Sequence, residues 1–103
     1  MTENPLFPTG QVLCTPKAWG EIKRYKADIP TFLKRHVLGD WDNMNGEDNN
    51  FSIERGYEIC SSYVLSTDTF DGCVFNNKVW IVTEENRSTT MILLPEEYDS
   101  MYS

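Results

Sequence analysis

The chain has 103 residues, 40% of them hydrophobic and 24% charged, with three cysteines and a single histidine. That is long enough for one domain with its own core, and it excludes a histidine-based metal cluster or a disulfide framework. The net charge of −7 argues against a protein whose main business is to hold a phosphate backbone, which needs a basic footprint.

The charge is uneven along the chain. Residues 1–38 carry a net +3 and residues 39–103 a net −10. The acidic part is either a plain solvated surface or a face that meets a basic partner. The opening run MTENPLFPTG has no basic start followed by an apolar stretch, so it does not read as a signal peptide. No apolar run reaches the roughly 18–20 residues that span a bilayer. A cytoplasmic protein with reduced thiols, no cofactor and no membrane contact is the expectation.

One domain, 1–103, is expected. Residues 1–12, with Pro5, Pro8 and Gly10, read as an N-terminal arm. Residues 13–56 read as a helical part. In TPKAWGEIKRYK, Thr15 is a natural N-cap with Pro16 at the first helical position, and Ala18, Ile22 and Tyr25 share one face. In DIPTFLKRHVLG, Asp28 caps, Pro30 lies in the first turn, and Gly39 is the stop signal. The apolar face of that second helix is Ile29, Phe32, Leu33, His36 and Val37. A reduced third helix is expected from about Asn50 to Arg55, ending at Gly56.

The period then changes from 3.6 to 2. YEICSSYVL, VWIVTE and TTMILLP are rich in β-branched and aromatic residues and read as three strands within residues 57–98. Alternation sets Ile59 and Tyr63 on the face opposite Cys60 and Val64. The turn ENRS is tight enough to demand antiparallel pairing of the last two strands. Residues 99–103 read as a tail, with order expected only as far as Tyr98. The fold class expected is therefore α+β, with two or three N-terminal helices on one face of a small, about three-stranded antiparallel sheet.

Several groups of residues invite a chemical reading. DWDNMNGED resembles a calcium loop, but starting at Asp40 puts Met44 and Asn45 where acid and glycine are needed, and starting at Asp42 fails similarly. A solvated loop is the better reading. His36 has the intrinsic pKa of a general acid or base. It also sits in the last turn of a helix, where the dipole favours it and where Asp40 is within reach; the structural role is preferred. Arg87, Ser88, Thr89 and Thr90 put a guanidinium and three hydroxyls at a turn, a set suited to phosphate or carboxylate; the preferred reading is a capped turn in which Arg87 pairs with Glu84 or Glu85. The aromatic residues around the sheet read as core or partner-docking groups. The insert TFDGCVF, with Phe70 and Phe75, is the best binding-loop candidate. Cys73 beside Asp71 has no base near it to make a reactive thiolate.

These segments together resemble a family of small bacterial proteins commonly labelled plasmid-related or hypothetical. The shared pattern runs TP, RH-x-x-GDW, ED, a glycine before an S-x-Y strand, W-I-[IV]-TE, and R-x-x-TT-x-LLP-x-[ED]-Y. It falls here on Thr15, Pro16, Arg35, His36, Gly39, Asp40, Trp41, Glu47, Asp48, Gly56, Ser61, Tyr63, Trp80, Thr83, Glu84, Arg87, Thr89, Thr90 and Tyr98. The segment after Asp48 is shorter than the pattern, Glu58 stands where a basic residue is usual, and the loop before Lys78 is longer. The resemblance implies a mobile-element or phage-type setting and no particular mechanism.

Two functions are weighed from the residues, beside the plainer one of an interaction domain unrelated to defence. The preferred one is an acidic accessory protein, monomeric or a small homo-oligomer, that binds a protein with a basic surface and inhibits a nucleic-acid-acting host defence system by electrostatic mimicry. Its binding residues would be Asp40, Trp41, Asp42, Glu47, Asp48, Phe70, Phe75, Glu84 and Glu85, and nucleic acid is not expected as a direct ligand. No catalytic residue is expected under this reading. The alternative is a metal-independent ribonuclease of barnase–RelE-like layout. There His36 would be general acid or base, Arg87 would hold the phosphate, and Thr90 or Tyr98 would orient it, which requires the two ends of the chain to meet in one cleft.

Overall fold

The computed structural model describes residues 6–39, 53 and 55–102; the side chains of Phe75, Met101 and Tyr102 lie outside that description. In chain order the elements are strand β1 (Gln11–Cys14), helix α1 (Pro16–Arg24), helix α2 (Ile29–Leu38), strands β2 (Ile59–Phe70), β3 (Cys73–Thr83) and β4 (Thr89–Leu93), and helix α3 (Pro95–Tyr102).

Local chemistry sets both N-terminal helices. Thr15 Oγ1 accepts from the Ala18 amide at 3.1 Å, and Pro16 opens α1 with a φ suited to it. Asp28 accepts from both the amide and the hydroxyl of Thr31, at 3.4 and 2.8 Å. Gly39 closes α2 in the left-handed region, φ +88, where a side chain would be strained.

The sheet runs β1-β4-β3-β2. The β2–β3 and β3–β4 pairs are antiparallel, and β1 is parallel to β4 with Gln11 opposite Thr89 and Cys14 opposite Ile92. The expected three-stranded antiparallel sheet with helices on one face is therefore corrected. The sheet is four-stranded and mixed, and strand residues outnumber helical ones among the described residues. The added strand begins inside the segment expected to be an arm. Gly10, at φ +62, lets it do so: a Cβ there would overlap the Ser88 carbonyl, to which the Gln11 amide donates at 2.9 Å.

Alternation assigns the two faces. Ile59, Ser61, Tyr63, Val79, Ile81, Thr83, Thr90 and Ile92 share one face and are all buried. Ala18 and Ile22 of α1 and Phe32 and Leu33 of α2 pack there. Tyr63 is stacked on Phe32 at 5.1 Å, with the Arg35 guanidinium 4.7 Å from its ring. Trp80, Val82 and Leu93 point the other way, where Tyr98 of α3 lies 5.3 Å from Trp80. Helices thus cover both faces, and order in the C-terminal segment continues past Tyr98.

α3 begins with a capping arrangement. Glu97 Oε1 accepts from the Leu94 amide at 2.9 Å and from the Thr15 hydroxyl at 2.7 Å. One carboxylate oxygen therefore joins the starts of α1 and α3. Thr15→Val removes a cap and this cross-link together. It is expected to lower the unfolding free energy by roughly 2 kcal/mol in urea titrations, with Glu97→Gln costing less because an amide oxygen still accepts from Leu94.

Beyond the Leu65 bulge, β2 and β3 continue as a two-stranded ribbon whose register holds from Ser66–Asn77 to Phe70–Cys73, while of β3 only Trp80–Thr83 pairs with β4. Asp71 and Gly72 close it at φ +53 and +80, the two positive angles of a type I′ turn.

Candidate functional site

His36 is fully buried, with both ring nitrogens engaged. Nδ1 lies 2.5 Å from Ser61 Oγ and Nε2 lies 2.8 Å from Thr83 Oγ1. Thr83 Oγ1 is 2.8 Å from Thr90 Oγ1, and the Thr90 hydroxyl donates to the Thr9 carbonyl at 2.7 Å. A carbonyl can only accept, and this orients the whole chain. Thr90 spends its proton on Thr9, so Thr83 donates to Thr90. The histidine Nε2–H then donates to Thr83, and Nδ1 accepts from Ser61. The tautomer is thereby assigned from the hydrogen-bond direction, with the imidazole neutral. Burial pushes the His36 pKa from 6.5 down to about 3, in the same sense.

His36, Ser61, Thr83 and Thr90 thus belong to one relay joining α2, β2, β3 and β4 to the arm. The sequence expectation of Asp40 as the histidine's neighbour falls outside the described residues. Ser61 and Thr83 carried no local signal, because they reach His36 from 25 and 47 positions away.

The two ends of the chain do meet, across Phe7. Its ring lies 5.1 Å from the His36 ring, edge to face, and 5.8 Å from the Arg87 guanidinium carbon. They do not form an open cleft there. Phe7 is buried with Ile59, Val37 and Ile53 around it, and the Leu6 amide donates to the Val37 carbonyl at 2.7 Å. Arg87 itself is turned to the backbone: Nη1 donates to the carbonyls of Tyr57 at 2.6 Å, Glu84 at 3.0 Å and Glu85 at 3.4 Å. Asn86 Oδ1 accepts from the amide and hydroxyl of Ser88, so the turn is held by its own side chains, with Arg87 at the positive φ. Tyr98, the fourth residue of the ribonuclease reading, packs on the opposite sheet face and donates to Glu58.

Of the expected binding residues, Asp40, Trp41, Asp42, Glu47 and Asp48 lie outside the described residues, as do the side chain of Phe75 and most of the expected third helix. The others separate into two groups. Glu84 and Glu85 line a cleft of about 260 Å³ with Glu58 and Asn86. Neither carboxylate has an ion pair or hydrogen bond among the described residues. Phe70 lies at the ribbon tip, 74% exposed, beside Val74 at 64%. The length of β3 sets the two groups roughly 33 Å apart at about 3.3 Å per residue.

A roomier cleft of about 410 Å³ opposes Arg24 and Lys78 to Glu21 and Glu96, so neither sign of charge dominates it. Among the described residues no three side chains of histidine, cysteine, aspartate or glutamate gather in a metal-binding arrangement, and no helix is long and apolar enough to cross a membrane. Burial raises the Cys60 thiol to about 12 and, with Glu97 nearby, also raises Cys14, so neither is an activated thiolate.

Fold and site define a small domain whose mixed sheet is clasped by helices on both faces and fastened by a buried histidine relay. No protein-family model, curated protein or solved structure matches the chain.

Proposed function

We propose that this is a non-enzymatic accessory protein that docks its acidic β3–β4 end on the basic surface of another protein, competing there with nucleic acid. The observation that carries the reading is the direction of Arg87. Its Nη1 donates to main-chain carbonyls, while the adjacent Glu84 and Glu85 carboxylates line the cleft with Glu58. Two cooperating features support it. The −10 charge of residues 39–103 adds a long-range field of the same sign. The turn that presents the carboxylates is rigid, held by the Asn86–Ser88 bonds and by Arg87, so little order is lost on binding. The partner fitting this chemistry is a nucleic-acid-acting protein of a host defence system, which offers a cationic groove. His36, walled in by its relay, has no part in this function.

The test is capture from a host lysate by immobilised wild-type protein and by Glu84→Lys/Glu85→Lys. A protein retained by the wild type, released by added duplex DNA or RNA, and lost with the double reversal supports the reading. At low salt the reversal is expected to slow association roughly tenfold. Retention that ignores salt, nucleic acid and the reversal alike would sink it.

A further inference from the structure

The exposed ribbon tip has a chemical complement on the same chain. α1 and α2 leave between them a groove of about 350 Å³, floored by Ile22, Ala27 and Ile29 and walled by Trp19, which is 50% exposed. Its rim carries Lys23 and Lys26, and Lys23 Nζ stands 5.6 Å from the Trp19 ring. The one carboxylate on the rim, Asp28, is already bound to Thr31 as the α2 cap. The groove is therefore apolar inside and cationic at its edge.

The tip has the opposite dress. Phe70 and Val74 project at the end of the ribbon, with Asp68 and Asp71 beside them, and the nearest cation along the ribbon is Lys78 at its base. The ribbon is stiffened by cross-strand side-chain bonds, Thr67 to Asn76 at 3.0 Å and Asn77 to Ser66 and Asp68 at 2.9 and 2.8 Å. Its I′ turn fixes the direction in which the tip points.

We propose that the ribbon tip of one copy seats Phe70 in the α1–α2 groove of a second copy, with Asp68 and Asp71 against the partner's Lys23 and Lys26. The contact is heterologous: tip and groove are different patches of the chain, so a single contact joins two copies and leaves one tip and one groove for further copies. It lies far from the acidic β3–β4 end and does not depend on the function proposed there. Purified protein alone tests it, so either idea can fail without the other.

Sedimentation velocity from micromolar to millimolar concentration is the measurement. Wild type is expected to self-associate, less so as salt rises. Phe70→Ser, a surface change that circular dichroism should find folded, is expected to raise the dissociation constant roughly tenfold or more, as removal of an interface anchor does. Lys23→Glu/Lys26→Glu should weaken association likewise. Mixing those two variants is decisive: one keeps its groove and the other its tip, so a mixed dimer should reappear that neither forms alone. Wild type that stays monomeric throughout, association indifferent to Phe70→Ser, or a mixture that restores nothing would each overturn the proposal.

Discussion

Unfolding free energy measured against pH is expected to fall by about 1.4 kcal/mol per pH unit as the pH drops below 6.5, because of His36 alone. The sign follows from proton counting. In the folded protein His36 stays neutral down to about pH 3, whereas in the unfolded chain it takes a proton near 6.5. Between those values the unfolded state binds more protons, so stability rises with pH across the window and is lost as pH falls through it. The histidine contributes no pH dependence above it. By pH 5 the loss is about 2 kcal/mol, a large share of the stability of a small domain.

Glutamine at this position separates titration from packing. His36→Gln offers an N–H for Thr83 and an oxygen for Ser61 but cannot take a proton. It is expected to flatten the acid limb while leaving the neutral-pH fold in place. His36→Ala leaves the Ser61 hydroxyl without its acceptor and Thr83 without its donor, beside a cavity, and should cost roughly 3–5 kcal/mol at neutral pH. An unchanged acid limb in His36→Gln would show that another group governs the transition.

The second large effect is expected at Gly10. Gly10→Ala must hold an L-residue at φ +62 and push its Cβ into the Ser88 carbonyl, at a combined cost of about 2–3 kcal/mol or more. The movement frees β1 from β4. Hydrogen exchange should then accelerate at the amides of Gln11 and Thr15, which donate to Ser88 and Ile92. The neighbouring Thr9 carbonyl is also the terminal acceptor of the His36 relay. Gly10→Ala and Thr90→Val should therefore be non-additive in urea unfolding, since each breaks the same last bond. Strict additivity would mean that the arm and the relay are energetically separate.

Several polar side chains hold remote parts of the chain together. Thr15 caps α1 and meets Glu97, Arg35 covers Tyr63, and Ser61, Thr83 and Thr90 complete the bonding of His36. Most of these are fasteners between elements remote in the chain. His36, the general acid or base of the ribonuclease reading, is fully buried among them.

Short-range rules carried much of the chain. Thr15 with Pro16, Asp28 with Pro30, and Gly39 state their helix ends in their own chemistry, and the period-2 alternation of ICSSYV sets Ile59 and Tyr63 on one face, which the structure buries. Two local signals went unused. Asp71-Gly72 is a type I′ hairpin turn, and Leu94-Pro95-Glu96-Glu97 is a capping start for α3. Other features were not local at all. QVLC is four residues long, with every one exposed, and becomes a strand only because β4 lies beside it in parallel register. The orientation of the His36 imidazole depends on a carbonyl at residue 9 and hydroxyls at 61, 83 and 90. The separation of Phe70 from Glu84 and Glu85 depends on the straight run of β3. Caps, turns and alternation are decided within a few residues by backbone sterics and nearby donors, so the sequence alone determines them. Sheet order, the proton direction of the relay and the division of the surface into two ends are decided by pairings between distant segments, which only the tertiary structure supplies.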